Sequence, residues 1–233
     1  MLQTPTVPDG AWEKIAADFI VKLPPSKEPL TGVTYDSIIV IVDLLTKYAH
    51  MIPYKEASNA EDIAYILFRA VFALHGTPKE IISDRDKLFT SKFWKSFAAQ
   101  LGIKQKPSTA YHPQTDGLTE RTNQTLEQYL RCYVNYKQND WVTLLPMAQF
   151  AYNNHISALG VTPFYANYGR HPTIEEETSV TAPIAQRARI RIQDIQKLHE
   201  MMKEELKKCA EQSRKQANKK RIEGPTLKEG EMV

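Results

Sequence analysis

Three acidic residues occupy positions where a carboxylate could do chemistry. Asp18 interrupts the apolar run Ile15-Ala16-Ala17-Asp18-Phe19-Ile20-Val21. A carboxylate there is costly unless it is paired or bound to a cation. Asp84 opens Asp84-Arg85-Asp86 directly after Glu80-Ile81-Ile82-Ser83, where a strand is expected to give way to a loop. Ligand-binding residues of open α/β sheets gather at such strand ends. Glu120 follows with 35 residues between it and Asp84, in the first turn of an expected helix that points back at the sheet edge. Three converging carboxylates repel one another unless cations intervene. With two Mg²⁺ ions they become hard oxygen ligands that leave room for water and a substrate phosphate, the arrangement used for phosphodiester chemistry. Each acid also has a structural alternative: Asp18 bonded to backbone, Asp84 in a turn, Glu120 favoured by a helix dipole.

The elements that must position these groups read as a mixed α/β domain. Strands are expected at Ile15–Val21, Ser37–Asp43, Tyr48–Tyr54, Glu80–Ser83 and Ile103–Lys106. Ser37–Asp43 is almost continuously apolar, as in a strand buried on both faces, and Pro53 places Tyr48–Tyr54 near an edge. Ser58 is an expected N-cap for a helix whose core positions are Ile63, Ile66, Leu67, Ala70, Val71 and Leu74, stopped by Gly76-Thr77-Pro78. A second helix covers Ser91–Leu101 through Phe93, Trp94, Phe97 and Leu101. After a polar loop from Ser108 to Gly117, a long helix runs from near Leu118 towards Gln138, and another spans Trp141–Asn153. A loop holding Pro163, Gly169 and Pro172 leads to a long charged helix over about Ile184–Arg221. Its narrow stripe of Ile195, Leu198, Met202, Leu206 and Cys209 suits packing on the main domain or on a partner. The organisation expected is an irregular lead-in (1–10), a core (11–175), a charged helix (176–222) and the beginning of a further domain (223–233).

At 233 residues and 42% hydrophobic, the chain can bury a core. No apolar run is long enough to cross a bilayer and no signal peptide opens the sequence. Cys132 and Cys209 form no disulfide framework or CxxC site, which fits a reducing compartment. The net charge of +3 is unevenly spread: residues 1–186 hold 17 Lys/Arg against 19 Asp/Glu, whereas residues 187–221 hold 12 against 5. The basic character is thereby assigned to that one segment, with a polyanion as its partner or, more plainly, as a solvated helix face.

Beyond the three acids, a series of words stands in order: Ala17-Asp18-Phe19-Ile20, Ser83-Asp84-Arg85-Asp86, Phe89-Thr90-Ser91-Lys92-Phe93-Trp94, and His112-Pro113-Gln114-Thr115-Asp116-Gly117. Thr119-Glu120-Arg121-Thr122-Asn123-Gln124-Thr125-Leu126-Glu127, Ala151-Tyr152-Asn153 and Thr162-Pro163-Phe164 complete it. From about Trp12 to Pro172 the sequence resembles the catalytic core of a retroelement integrase, most similar to the Ty3/gypsy class of LTR retrotransposons. The resemblance implies an RNase H-like fold, a five-stranded mixed sheet flanked by helices. It implies a D,D-35-E triad carried by Asp18, Asp84 and Glu120, which hold two Mg²⁺ ions (Mn²⁺ substituting). It further implies trimming of a DNA 3′ end by water, then attack of the freed 3′-OH on target DNA, by a homo-oligomer acting in the nucleus after a cytoplasmic particle stage.

His112 and Gln114, beside Glu120, and Asn123, Gln124 and Arg131 on its helix are candidate DNA contacts. Lys215, Lys219, Lys220 and Arg221 join them from the basic segment. Asp86 and Asp116 read as turn or cap residues. Retroviral relatives often carry lysines one and two turns after the glutamate, where this chain has Gln124 and Glu127. No His-His-Cys-Cys module precedes the core, and Leu227-Lys228-Glu229-Gly230-Glu231 is expected to open a C-terminal domain. Two other functions fit parts of the pattern: a domesticated or degenerate core serving as a DNA-binding or oligomerisation scaffold, and an RNase H-type nuclease.

Overall fold

A computed structural model describes residues 7–83, 87–107 and 113–172, together with single helical residues between 197 and 215; for residues 107 and 113–120 it describes backbone only. Five strands form one mixed sheet in the order β5-β4-β1-β6-β7. They are β1 (Lys14–Ile20), β4 (Ser37–Asp43), β5 (Ala49–Tyr54), β6 (Glu80–Ser83) and β7 (Lys104–Pro107). Strand β1 lies at the centre, antiparallel to β4 and parallel to β6, while β6 and β7 are parallel. The polar stretch between β1 and β4 adds a small hairpin, β2 (Ser26–Lys27) with β3 (Thr34–Tyr35), that no apolar pattern announced.

Helices cover both faces. On one side, α1 (Ala60–Leu67) and α4 (Lys92–Gln100) bury Ile63, Leu67, Trp94 and Ala98 against Ile15, Ile39, Ile41 and Ile81. On the other, α5 (Pro113–Tyr133) and α6 (Trp141–Asn154) bury Leu126, Leu130, Trp141 and Leu145 against Val40 and Val42. Successive residues of a strand point to opposite faces, so β4, sandwiched between the helical layers, is apolar at every position from Ile38 to Val42 and fully buried.

Several boundaries differ from the sequence reading. Asn59, not Ser58, caps α1: its side chain accepts from the amides of Glu61 and Asp62, while Asp62 reaches back to the Asn59 amide. The helix then widens into a π turn, Phe68–Phe72, before a last turn, α2 (Ala73–His75). The wider turn shifts the face, so Val71 and Phe72 are buried and Leu74, expected in the core, is exposed. Phe93 and Leu101 are likewise exposed, because Trp94 and Ala98 form the buried edge of α4. The short helices α3 (Lys87–Thr90) and α7 (Pro163–Tyr168) arise in stretches read as loop. Pro163 stands at the first position of α7 and Thr162 caps it.

The largest change concerns α5. It begins at Pro113, where a fixed φ and a missing N–H suit a first helical position, and it ends at Tyr133 rather than near Gln138. Asp116 and Gly117 therefore lie within the helix, not in a loop ahead of it. Glu120 is its eighth residue, past two full turns, so a helix-start acid held by the dipole no longer accounts for it.

Strand β5 is an edge strand, as Pro53 suggested, and α6 closes its open side. Asn153 Oδ1 accepts from the Ala49 amide at 2.9 Å, and Asn153 Nδ2 donates to the Ala49 carbonyl at 2.9 Å. Gln149 Oε1 accepts from the Met51 amide at 2.8 Å. These amides satisfy groups that an uncovered edge would offer to another chain. Leu206, from the expected C-terminal stripe, packs against the cluster of Leu45 and Ala166. Ile195, Leu198, Met202, Cys209 and residues 216–233 lie outside the described residues.

Candidate active site

Strand β1 carries Asp18 on the face shared with Ala16, the partners of which on β4 are Val40 and Val42. That face is the one covered by α5 and α6. Asp18 is half-buried there, with both oxygens engaged: Oδ1 accepts from the Phe19 amide at 2.9 Å, and Oδ2 accepts from Asn123 Nδ2 at 2.9 Å. A carboxylate in this position gains from donors that favour its charged form.

Asn123 belongs to α5, one turn after Glu120. The stripe Thr122, Leu126 and Leu130 buries that helix, and Asn123 sits at its border, aimed at the sheet. Its Oδ1 is buried and has no hydrogen-bond partner among the described residues. An orphaned oxygen of this kind is costly in a folded protein, and functional sites are where such exceptions occur. Asn123, a candidate DNA contact from the sequence, donates to Asp18 in the structure.

The neighbouring strand β6 ends beside this part of β1. Ser83, the last residue of β6, is in register with Ala17, so the residues before Asp84 and before Asp18 are paired across the sheet. Asp84, Asp86 and His112 themselves lie outside the described residues, as do the side chains of Gln114, Asp116 and Glu120. Among the described residues no group of three or more His, Cys, Asp or Glu converges. The donors that are described, the Asp18 carboxylate and the unpartnered Asn123 carbonyl oxygen, are hard oxygens of the type Mg²⁺ takes.

The remaining candidates separate. Gln124 is exposed, and Arg131, also exposed, pairs with Glu127 at 3.3 Å on the outer side of α5. Lys215 is an exposed helical residue; Lys219, Lys220 and Arg221 lie outside the described residues. Positive charge is also not confined to the C-terminal segment. Lys87, Lys92, Lys95, Lys104 and Lys106 follow one another without an Asp or Glu between positions 87 and 107.

Three features have no role assigned from the sequence. Tyr152 Oη meets the buried Thr122 hydroxyl at 3.0 Å, tying α6 to α5 beside Asn123, and burial pushes its phenol pKa up. The word Ala151-Tyr152-Asn153 is thereby explained: Tyr152 braces α5 and Asn153 braces β5. On the opposite layer, His50 Nε2 and His75 Nε2 lie 3.0 Å apart, with Trp12 stacked on His75 at 3.7 Å. Burial, and for His50 also the neighbouring His75, lowers both imidazoles to about 4. Asp43, fully buried at the end of β4, is a structural acid. It accepts from the amides of Trp12 and Thr46 and from the Thr46 hydroxyl, although burial still raises its pKa.

Comparison with known proteins bears on the family and the fold. Residues 14–113 match the integrase core domain family. The Tf2-3 and Tf2-4 transposon polyproteins of Schizosaccharomyces pombe are each 44% identical over 154 residues, 66% of this chain. The chain spans 11% of the length of those polyproteins. Among solved structures, the simian T-cell lymphotropic virus intasome in complex with PP2A regulatory subunit B56 gamma aligns with a TM-score of 0.56 at 22% identity, covering 78% of this chain and 66% of that one. The HTLV-2 integrase catalytic core domain in complex with magnesium aligns with a TM-score of 0.50 at 19% identity, covering 66% and 94%. The sheet order and flanking helices are those of the RNase H-like integrase core. Residues 14–113 carry an integrase core domain, related to those of Ty3/gypsy-type retrotransposon polyproteins.

Proposed function

We propose that this domain trims the 3′ ends of element DNA and joins them to target DNA, with Asp18, Asp84 and Glu120 as its acidic triad. The observation that carries the reading is the Asp18–Asn123 hydrogen bond. It fixes α5 against β1 so that Glu120 is one helical turn from the residue touching Asp18, while β6 delivers Asp84 directly after the residue paired with Ala17. Asp18, Asp84 and Glu120 would hold Mg²⁺. When bound, the metal lowers the pKa of an attacking hydroxyl and offsets charge on the leaving oxygen.

The protein's own contribution is positional. Asn123 orients Asp18 through its hydrogen bond, and Thr122 with Tyr152 holds the helix that carries Glu120. No covalent intermediate on the protein is required, because in-line displacement at phosphorus depends on alignment and charge neutralisation. The basic segment 187–221 adds phosphate contacts, and assembly of several copies on two DNA ends, in the nucleus, completes the reading. Strand transfer with labelled oligonucleotides in Mg²⁺ or Mn²⁺ tests it, comparing the chain with Asp84→Asn. Loss of joining in a folded Asp84→Asn protein is expected; retained joining refutes the triad.

A further inference from the structure

Helix α5 has Gln124 and Glu127 where cations could grip DNA beside the acidic site, which raises the question of what supplies that charge. The sheet register answers it. Ala16 on β1 is in register with Ile82 on β6, and Ile82 with Lys106 on β7; one row further back, Lys14, Glu80 and Lys104 are aligned. Residues two apart along a strand share a face. Lys104 and Lys106 therefore stand on the same face as Asp18, in the rows immediately behind it. By strand spacing and rise, the Lys106 Cα lies about 12 Å from that of Asp18. Both lysines are exposed, and Ile82 beside them is only half-buried.

The charge on this patch is positive after pairing. Lys106 Nζ is 3.0 Å from Glu80 Oε2, with the lysine side chain 56% exposed and the glutamate 10% exposed. Glu80 thus offsets one cation and leaves Lys104 uncompensated by it. The lysines of α3 and α4 belong to the opposite layer, since α4 buries Trp94 and Ala98 in the cluster containing Ile15 and Ile81. Location, not total charge, separates the two groups.

We propose that Lys104 and Lys106 on the edge strand β7 form a phosphate-binding ledge that holds duplex DNA across the sheet face leading into the acidic site. The proposal rests on the DNA-joining reading above for its choice of polyanion. Edge-strand lysines also discourage strand pairing with other chains, but that role alone gives DNA affinity no dependence on them.

Fluorescence anisotropy with a labelled DNA duplex and the 233-residue chain, without divalent metal and over a series of salt concentrations, tests the ledge. Lys104→Gln and Lys106→Gln should each lower the slope of log K against log salt by about 0.9, one phosphate contact apiece. Lys92→Gln and Lys95→Gln remove the same charge from the opposite layer and should leave the slope unchanged. Because Lys106→Gln strands Glu80, the double variant Glu80→Gln/Lys106→Gln, checked by thermal melting, keeps the test independent of folding. Unchanged slopes for the β7 variants, equal losses for the α4 variants, or no measurable binding by the wild-type chain would each overturn the proposal. Strand transfer separates it from the functional reading. Lysine-dependent binding without joining leaves the ledge standing alone, and joining without lysine dependence removes the ledge only.

Discussion

Replacing Asn123 with Leu separates folding from chemistry at the site. The substitution removes the donor to Asp18 Oδ2 and, in the same step, the buried Oδ1 that has no partner. A hydrogen bond to a charged group contributes about 1.5–3 kcal/mol, and an orphaned buried acceptor costs about 1–3 kcal/mol. The two nearly cancel in stability, so Asn123→Leu should melt within a few degrees of wild type. In catalysis they do not cancel, because the Asp18 oxygen that must stay aligned has lost its donor. If that bond persists in the transition state, kcat/KM for strand transfer should fall roughly 10- to 150-fold. The assay is strand transfer at several Mg²⁺ concentrations, run beside thermal melts with and without Mg²⁺. Asn123→Asp supplies the opposite perturbation: it sets a second carboxylate against Asp18, so its stability should gain more from Mg²⁺ than wild type does. Joining within threefold of wild type by a folded Asn123→Leu protein would refute the positioning argument. An activity loss that merely tracks a collapsed melting temperature would do so as well.

Asn153→Ala should leave the Ala49 N–H and C=O buried and unpaired, each at about 1–3 kcal/mol. The melting temperature should fall by roughly 5–15 °C, and a shift under 2 °C would show that water replaces the amide at the β5 edge. Acidification should destabilise the fold through His50 and His75. Both have pKa values lowered to about 4, so between about 4 and the unfolded value of about 6.5 the unfolded chain binds the extra protons. Their contribution is complete above pH 6.5 and is lost as pH falls through 4. At pH 5 His50 alone accounts for about 2 kcal/mol, with His75, the more exposed partner, adding less. Urea unfolding at pH 7 and 5 should show this loss, and His50→Phe should flatten it.

Much of the fold was legible because burial writes itself into sequence. The strands Ser37–Asp43 and Glu80–Ser83 lie where the apolar runs place them, since a strand between two helical layers must be apolar at nearly every position. Asp18 was conspicuous for the same reason, as a charge where the local pattern calls for none. Less visible was whatever depends on helix phase and on partners distant in the chain. The π turn at Phe68–Phe72 advances the face without any signature in residue spacing, so Leu74 turned outward. Pro113 as a helix start moved Glu120 from a first turn to an eighth position, a choice between two turn signals that local propensity left open. Asn123 meeting Asp18 spans 105 residues, and Asn153 closing β5 spans 104. The order of the strands decides such meetings: only once β1 lies between β4 and β6 do Asp18, Ile82 and the lysines of β7 share one face of one sheet.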